Sequence, residues 1–543
     1  MAASLALLAA AHGVATTYDD WSVRAVEVDD EAVILALAAM DVDASTEVSV
    51  QAALCEATDA PWRRMLPPAT VVRGGQPLVV RSVSEPRVTV DLERGGSATV
   101  TVEPVAGERH GDKTAWSVEL PDFEPGWHKV HASADGGTQS AVLVVAPPRL
   151  ELPADLSRAW GWMLQLYSLR SAESWGIGDY GDLRTVVDRA AADGAGALLL
   201  NPLHAETPRL PINPSPYSPS SRRLRALVYL RLHDVPEYAT ASAKLRAAVD
   251  ELRPQSDPDR IGRDAPWTAK LAALELLWPH ARREAVEVFR AERGAALEEY
   301  ALFCSLTGEY DGPWQQWPVT VRHPSADGIA AARRNLSDRI AFWCWTQLLV
   351  DEQLAGLGQA MPVGLIHDLA VGVDAGGADA WALQDALALS TTVGAPPDSF
   401  NQQGQDWGLP PWRPDRLREL AYAPFRDLVR GVLRHAGGLR IDHVMGLFRL
   451  WWVPAGATAS EGTYVSYDSD ALLGILALEA SRAGAVVIGE DLGTVEARVR
   501  RDLDRTGILG SAVLWFETED DGAFIAPGAW PRDALATVTT HDL

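Results

Sequence analysis

The stretch 438-GLRIDHVMGLFRLWW-452 decides how this chain is read. It begins as a short apolar run of the kind that forms a buried strand, and Arg440, Asp442 and His443 stand at its end. Six further runs have the same form: WGWMLQLYSL (160–169), GALLLNPLH (196–204), PVGLIHDLAV (362–371), AVVIGEDLG (485–493), SAVLWFETE (511–519) and LATVTTHDL (535–543). Strands alternating with helical stretches imply parallel βα units, and so many of them predict an α/β fold built on a (β/α)₈ TIM barrel. The helix-rich stretch from about 226 to 345 is too long for a loop and reads as an inserted helical subdomain.

Two other regimes precede the barrel. Residues 1–60 read as an N-terminal helical segment, including DDEAVILALAAMDV (29–42). Residues 61–150 switch to period-two alternation broken by Gly, Pro and Asp, which predicts a β-sandwich. The catalytic unit then occupies 151–543.

Composition narrows the function. At 543 residues and 47% hydrophobic, the chain buries a large core, yet no run approaches the roughly 18 apolar residues that span a bilayer. The opening MAASLALLAAAHG has no Lys or Arg before its apolar run, so it reads as a helix ending at Gly13 rather than a signal peptide. Three cysteines without C-x-x-C spacing indicate neither a disulfide framework nor a zinc site, and fit a reducing cytoplasm. A formal charge of -25 repels nucleic acid and anionic membranes, leaving a neutral or cationic partner, or solubility alone, as its meaning. Twenty tryptophans, several in loop-like sequence such as AESWGIG, DGPWQQW and GQDWGLPPW, suit stacking on a planar apolar face.

GIGDYG (176–181) matches G-x-G-x-x-G, precedes a helical pattern and has Glu206 about where a ribose-binding acid belongs. A dinucleotide fold needs the first glycine directly after its strand, and SLRSAESW intervenes. A tight glycine-rich active-site loop is the preferred reading.

In a barrel the C-terminal strand ends converge on one pocket. There the chain carries Asp368, Asp442, Glu490 with Asp491, and Asp542, accompanied by Arg440, His443 and His541. Asp368 and Asp491 read equally well as helix caps. A metal site is disfavoured because the histidines adjoin the acids and so point to the opposite face of a strand. Glycoside cleavage needs two carboxyls roughly 5 Å apart in a retaining enzyme. Arg440, two residues before Asp442, is expected to keep that carboxylate ionised, and the apolar AVVIG before Glu490 to desolvate it toward general-acid duty.

RIDHVMGLFRLWWVP, VIGEDLG and TTHDL, with SLRSAESWGIGDYGDL, NPLHA, SPYSPSS and GAPPDSFNQQGQDWGLPPW, closely resemble the 4-α-glucanotransferases (amylomaltases, or disproportionating enzymes), relatives of the α-amylases. The resemblance covers nearly all of 155–543; the helices and sandwich before it resemble the N-terminal extension of longer bacterial members. It implies Asp442 as nucleophile, Glu490 as acid/base and Asp542 as transition-state stabiliser. It further implies Tyr217, Asp368, Arg440 and His541 as substrate-binding, with Asp398, Gln405 and Trp407 on a loop over the glucan. It implies no cofactor and no metal, an α-1,4-glucan donor, and a glucan or glucose acceptor. Ala226 and Leu227 stand where the family carries Asn-Pro, and the sequence stops at Leu543 with seven strands visible, so the barrel is expected to be truncated before strand 8. An α-glucan hydrolase and a non-catalytic glucan-binding protein remain as competing readings.

Overall fold

The computed structural model describes residues 2–543 apart from 74–76, 154, 155, 157, 158, 256, 258, 400, 493, 494, 520 and 541–543, so His541 and Asp542 lie outside the described residues. Seven strands run in chain order: β1 (Gly161–Leu164), β2 (Ala197–Leu200), β3 (Gly364–Leu369), β4 (Gly438–Ile441), β5 (Val486–Gly489), β6 (Gly510–Val513) and β7 (Ala534–Thr537). The first five form one parallel sheet, and β6 pairs in parallel with β7. A parallel bridge between Ile488 and Leu509 links the two groups.

Strand alternation sorts the side chains. Leu199, Ile366, Val486 and Ile488 form one cluster with Leu535, while Leu439, Ile441 and Val487 face helices on the other side of the sheet. Gly438 is required by this crowding, because a Cβ there would come within 2.8 Å of Ile366 and 2.9 Å of Val486. The covering helices are α1 (Tyr180–Ala192), α2 (Ala423–Leu433), α3 (Ser469–Ala483) and α4 (Ala497–Thr506). In α2 the buried Phe425, Leu428, Val429 and Val432 recur at i, i+3, i+4 and i+7, the stripe that packs a helix on a sheet.

Between β2 and β3 the chain inserts a helical block built around Asp264–Leu277, Arg283–Glu309 and Ser337–Leu354. Trp314 and Trp317 are buried beside it, and Trp175 is buried near α1. These three tryptophans were expected on a sugar-stacking surface; they fill the core instead, and Trp314 Nε1 satisfies itself on the Ala375 carbonyl. Ala226 and Leu227 are likewise buried, with the Ala226 N–H bonded to the Leu203 carbonyl.

The N-terminal helices Ala2–Ala11, Asp30–Ala38 and Glu47–Asp59 belong with a four-stranded antiparallel sheet of Gln405–Leu409, Thr391–Ala395, Arg449–Pro454 and Thr463–Ser466. Leu5, Leu8, Val33 and Leu37 share its apolar cluster with Trp452 and Val465. Val14 bridges Val465, and the Ser466 N–H bonds the Gly13 carbonyl at 2.8 Å. Phe448, Trp451 and Trp452 are all buried here, as packing residues. Residues 69–145 form a separate seven-stranded sheet in which the long strand Ser97–His110 pairs with Arg87–Asp91 on one side and Lys113–Glu119 on the other. Val80, Val88, Val90, Val118, Val130 and Leu143 fill its apolar core.

The GIGDYG loop is a helix cap rather than an active-site loop. Asp179 accepts the Gly181 and Asp182 N–H groups at the start of α1. Arg231, 5% exposed, clamps Asp179 at 2.7 Å and Asp182 at 2.6 Å. A Cβ on Gly178 would collide with the Leu166 carbonyl oxygen. Removing the cation strands two buried carboxylates, so Arg231→Met is expected to destabilise the fold by about 3–5 kcal/mol, read as a lower urea midpoint; an unchanged midpoint would show that the clamp is not a stabilising element.

Candidate active site

The strand register itself assembles the polar cluster. Asp368 on β3 lies directly opposite Arg440 on β4, and Arg440 opposite Ile488 on β5. Two residues further, Asp442 and Glu490 follow the ends of β4 and β5. Arg440 Nη1 donates to both oxygens of Asp368 (2.7 and 2.9 Å) and to Asp442 Oδ1 (3.0 Å). Tyr217 OH donates to Asp368 Oδ2 at 2.8 Å. The contact with Asp368 and Asp442 confirms that Arg440 and Asp442 share a face.

Glu490 is held by backbone. Its Oε2 accepts the His443 N–H (3.0 Å), its Oε1 the Leu492 N–H (2.7 Å), and its own N–H bonds the Ile441 carbonyl (2.9 Å). The first of these requires the turn after Asp442, where His443 adopts the left-handed conformation at φ 50°. His443 presents its ring to the edge of Trp407, with centroids 5.4 Å apart. Trp407 lies on the strand Gln405–Leu409, and its Nε1 donates to Gln405 Oε1 (3.1 Å). Asp398, in the preceding turn, accepts the Asn401 N–H at 2.6 Å. A cleft between the strand ends is lined by Tyr217, Asp368, Arg440 and Glu490 together with Gln165, Asn201 and Thr537.

The electrostatics differ from the expectation for Asp442. Burial pushes its carboxyl up to about 7, the Asp368 charge adds to the rise, and Arg440 opposes it less strongly. Burial and the negative charge of Asp368 together outweigh Arg440, so the Asp442 carboxyl stays raised despite the ion pair. Against the burial that would lower it, Asp368 and Asp442 hold Arg440 above its ordinary value. Burial and the Asp368 carboxylate both raise Tyr217, so it stays a neutral donor. Glu490 is half-buried with a hydrogen bond on each oxygen, rather than enclosed by the apolar surroundings its preceding residues implied.

With carboxylates, a tyrosine and an arginine converging at parallel strand ends, the comparisons with known proteins become informative. A 4-alpha-glucanotransferase profile matches residues 164–543. The chain belongs to the 4-alpha-glucanotransferase family. It is therefore a transferase enzyme. A second profile, the MalQ N-terminal beta sandwich domain, matches residues 65–147. The 4-alpha-glucanotransferase of Mycobacterium tuberculosis is 44% identical over 583 residues, an alignment spanning 100% of this chain and 80% of the relative. The crystal structure of amylomaltase from Corynebacterium glutamicum is 37% identical with a TM-score of 0.87, covering 100% of this chain and 80% of that one. An amylomaltase from Streptococcus agalactiae in complex with acarbose shares the fold at 21% identity and a TM-score of 0.63, covering 71% of this chain and 80% of that one.

For a 4-alpha-glucanotransferase chain, the sequence located most of this cluster and missed its frame. Tyr217, Asp368, Arg440, Asp442 and Glu490 come together; Gln405 and Trp407 meet the cluster through His443. Asp368 is no helix cap, and Asp491 instead accepts the Ser511 N–H at 2.8 Å. Asn201 went unnoticed, although it ends β2 as the acids end their strands; its Oδ1 fixes the Leu166 N–H at 2.7 Å. Arg222 was also missed: buried, it donates to the Ala370 and Val371 carbonyls and fixes the chain just after Asp368. Among the described residues no group of His, Cys, Asp and Glu is arranged to hold a metal ion.

The raised Asp442 carboxyl has a stability consequence with a definite sign. A carboxyl held above its ordinary value near about 3.9 favours the fold below that pH and disfavours it increasingly as pH rises through about 7. Asp442→Asn should therefore raise the thermal midpoint at pH 8 and leave it nearly unchanged at pH 4. Scanning calorimetry at the two pH values checks this; equal shifts at both would contradict it.

Proposed function

We propose that this chain transfers a segment of an α-1,4-glucan to the 4-hydroxyl of another glucan or of glucose, by double displacement with retention at the anomeric carbon. The observation that carries the reading is the pair Asp442 and Glu490 at the ends of adjacent parallel strands, with Glu490 bonded to the N–H of the residue after Asp442. Neighbouring strands lie about 4.8 Å apart, which suits the roughly 5 Å carboxyl separation of a retaining enzyme.

In the first step Asp442 attacks the anomeric carbon while Glu490 gives its proton to the departing glycosidic oxygen, leaving a glycosyl-aspartate. In the second, Glu490 takes the proton of the acceptor's 4-hydroxyl, which attacks the same carbon and frees Asp442. Arg440 and Asp368 orient the nucleophile, and Tyr217 completes the wall that holds the donor sugar. Asp542 and His541 would grip sugar hydroxyls from the segment after β7. Asp398, Gln405 and Trp407 would cover the glucan, and Trp407 would exclude the water that otherwise competes with the acceptor.

The proposed frame is a (β/α)₈ barrel at 151–543 with a helical insertion at about 226–345, preceded by the helical segment 1–60 and the sandwich 61–150. The resemblance to the Corynebacterium glutamicum amylomaltase supports it. No helix among the described residues is long and apolar enough to cross a membrane. A cytoplasmic site of action agrees with the three free cysteines.

Maltotriose incubation tests the reaction. Glucose together with maltopentaose and longer products is expected, and glucose with maltose alone would replace transfer by hydrolysis. Asp442→Asn and Glu490→Gln should each lower turnover by about 10²–10⁴-fold or more. Because Asp442 must be ionised to attack and its carboxyl sits at about 7, kcat/KM should fall about tenfold per pH unit below that value. A profile flat from pH 5 to 8 would show that the Asp442 carboxyl is not held up in the free enzyme.

A further inference from the structure

A second, small polar pocket lies outside the cluster just described. It is framed by the strand Ser221–Arg225, the helix Arg283–Glu309 and the C-terminal end of α2. Arg223, Arg225, Arg293, Arg434, His435 and Asp351 line it. This is an unusual concentration of cations in a chain whose formal charge is -25.

Two of the four arginines are fully paired. Arg223 bonds Asp379 (2.9 Å) and lies 3.4 Å from Glu299. Arg434 bonds Asp351 (2.8 Å) and Glu292 (2.7 Å), and His435 also meets Asp351, at 3.0 Å. The single carboxylate in the pocket is thus already committed. Arg225 and Arg293 are different. Arg225 is 8% exposed, and only its Nη2 finds acceptors: the Gly431 and Val432 carbonyls (2.9 and 2.8 Å) and the His367 ring (3.3 Å). Arg293 touches the Arg223 carbonyl at 3.5 Å. Among the described residues neither has a carboxylate partner, and the Nε and Nη1 of Arg225 have no acceptor.

A nearly buried guanidinium without a counter-charge is costly, and buried charges are otherwise paired. Arg293, only partly buried, adds a second positive charge beside Arg225, and the two together favour an anion that enters between them. A phosphoryl oxygen can accept single charge-assisted bonds from Nε or Nη1 of Arg225, whose Nη2 is already committed to carbonyls, while the guanidinium of Arg293 supplies further donors. We propose that this pocket binds a phosphate group, held by Arg225 and Arg293. The phosphate is either inorganic phosphate or the phosphoryl end of a small metabolite such as a sugar phosphate. The pocket shares Phe289, Asp351 and Arg434 with a wider, open surface groove. That groove gives the remainder of a larger ligand somewhere to lie. The proposal concerns binding and stands apart from the reaction assigned above.

Titration calorimetry on the full chain, in chloride buffer at constant ionic strength, tests it with inorganic phosphate and glucose 6-phosphate as probes. Saturable phosphate binding is expected. Arg293→Gln should weaken it at least about tenfold, and Arg293→Lys, which keeps the charge, should recover part of the loss. Arg283→Gln removes the same charge from the neighbouring groove, where Arg283 is paired with Asp338 at 3.0 Å; it should change affinity by less than about twofold. Arg293→Gln should leave maltotriose turnover at the level of the unaltered chain. Tighter binding of glucose 6-phosphate than of phosphate assigns the site to a phosphorylated metabolite, and equal binding assigns it to the free anion. Absence of saturable binding, or binding undiminished in Arg293→Gln, overturns the proposal.

Discussion

One guanidinium fixes the geometry of the catalytic cluster. Arg440 reaches from β4 to Asp368 on β3 and forward to Asp442, so a single cation sets the spacing of two carboxylates that would otherwise repel each other. It can do so because strand register places Asp368 beside it and because Gly438, two residues earlier, leaves room between Ile366 and Val486. The neighbouring acid has a consequence for charge: burial and the negative Asp368 together outweigh Arg440 at Asp442. Asp442 therefore keeps a raised pKa even with an arginine at 3.0 Å. A bound sugar that drew Asp368 away would remove that negative charge from beside Asp442 and let its carboxyl fall.

The second carboxylate is positioned by a different device. Glu490 is gripped by backbone N–H groups from its own turn and from the turn after β4, where His443 takes a left-handed conformation. Main-chain donors are stiffer than side chains, so the two acids are fixed relative to each other by the ends of adjacent strands rather than by loops. Trp407 enters from the antiparallel sheet, against His443. The sheet is backed in turn by the N-terminal helices.

Much of this was legible because short parallel strands carry their chemistry in a narrow window. Asp368, Arg440, Asp442 and Glu490 each fall at or just beyond the last residue of a strand, and the apolar run before each marks its place. What escaped were the effects of burial and sharing. Trp175, Trp314 and Trp317 stand among polar neighbours in the sequence, yet long-range packing turns them inward. Arg440 near Asp442 reads as a simple ion pair until the third partner, 72 residues away, is seen. The GIGDYG loop likewise became interpretable only through Arg231, which arrives from beyond β2 to hold its cap. Each missed feature depends on a contact distant in sequence, and each recovered one on local pattern.

The bridge between Val14 and Val465 gives the chain an order of events during its synthesis. The N-terminal helices leave the ribosome before the strand against which they dock, which is made more than four hundred residues later. Until then their apolar faces have no native partner. The seven-stranded sheet, by contrast, finds all its strand partners within residues 69–145. These helices are thus among the last elements to reach their final place, and that wait is a window in which a chaperone would find them.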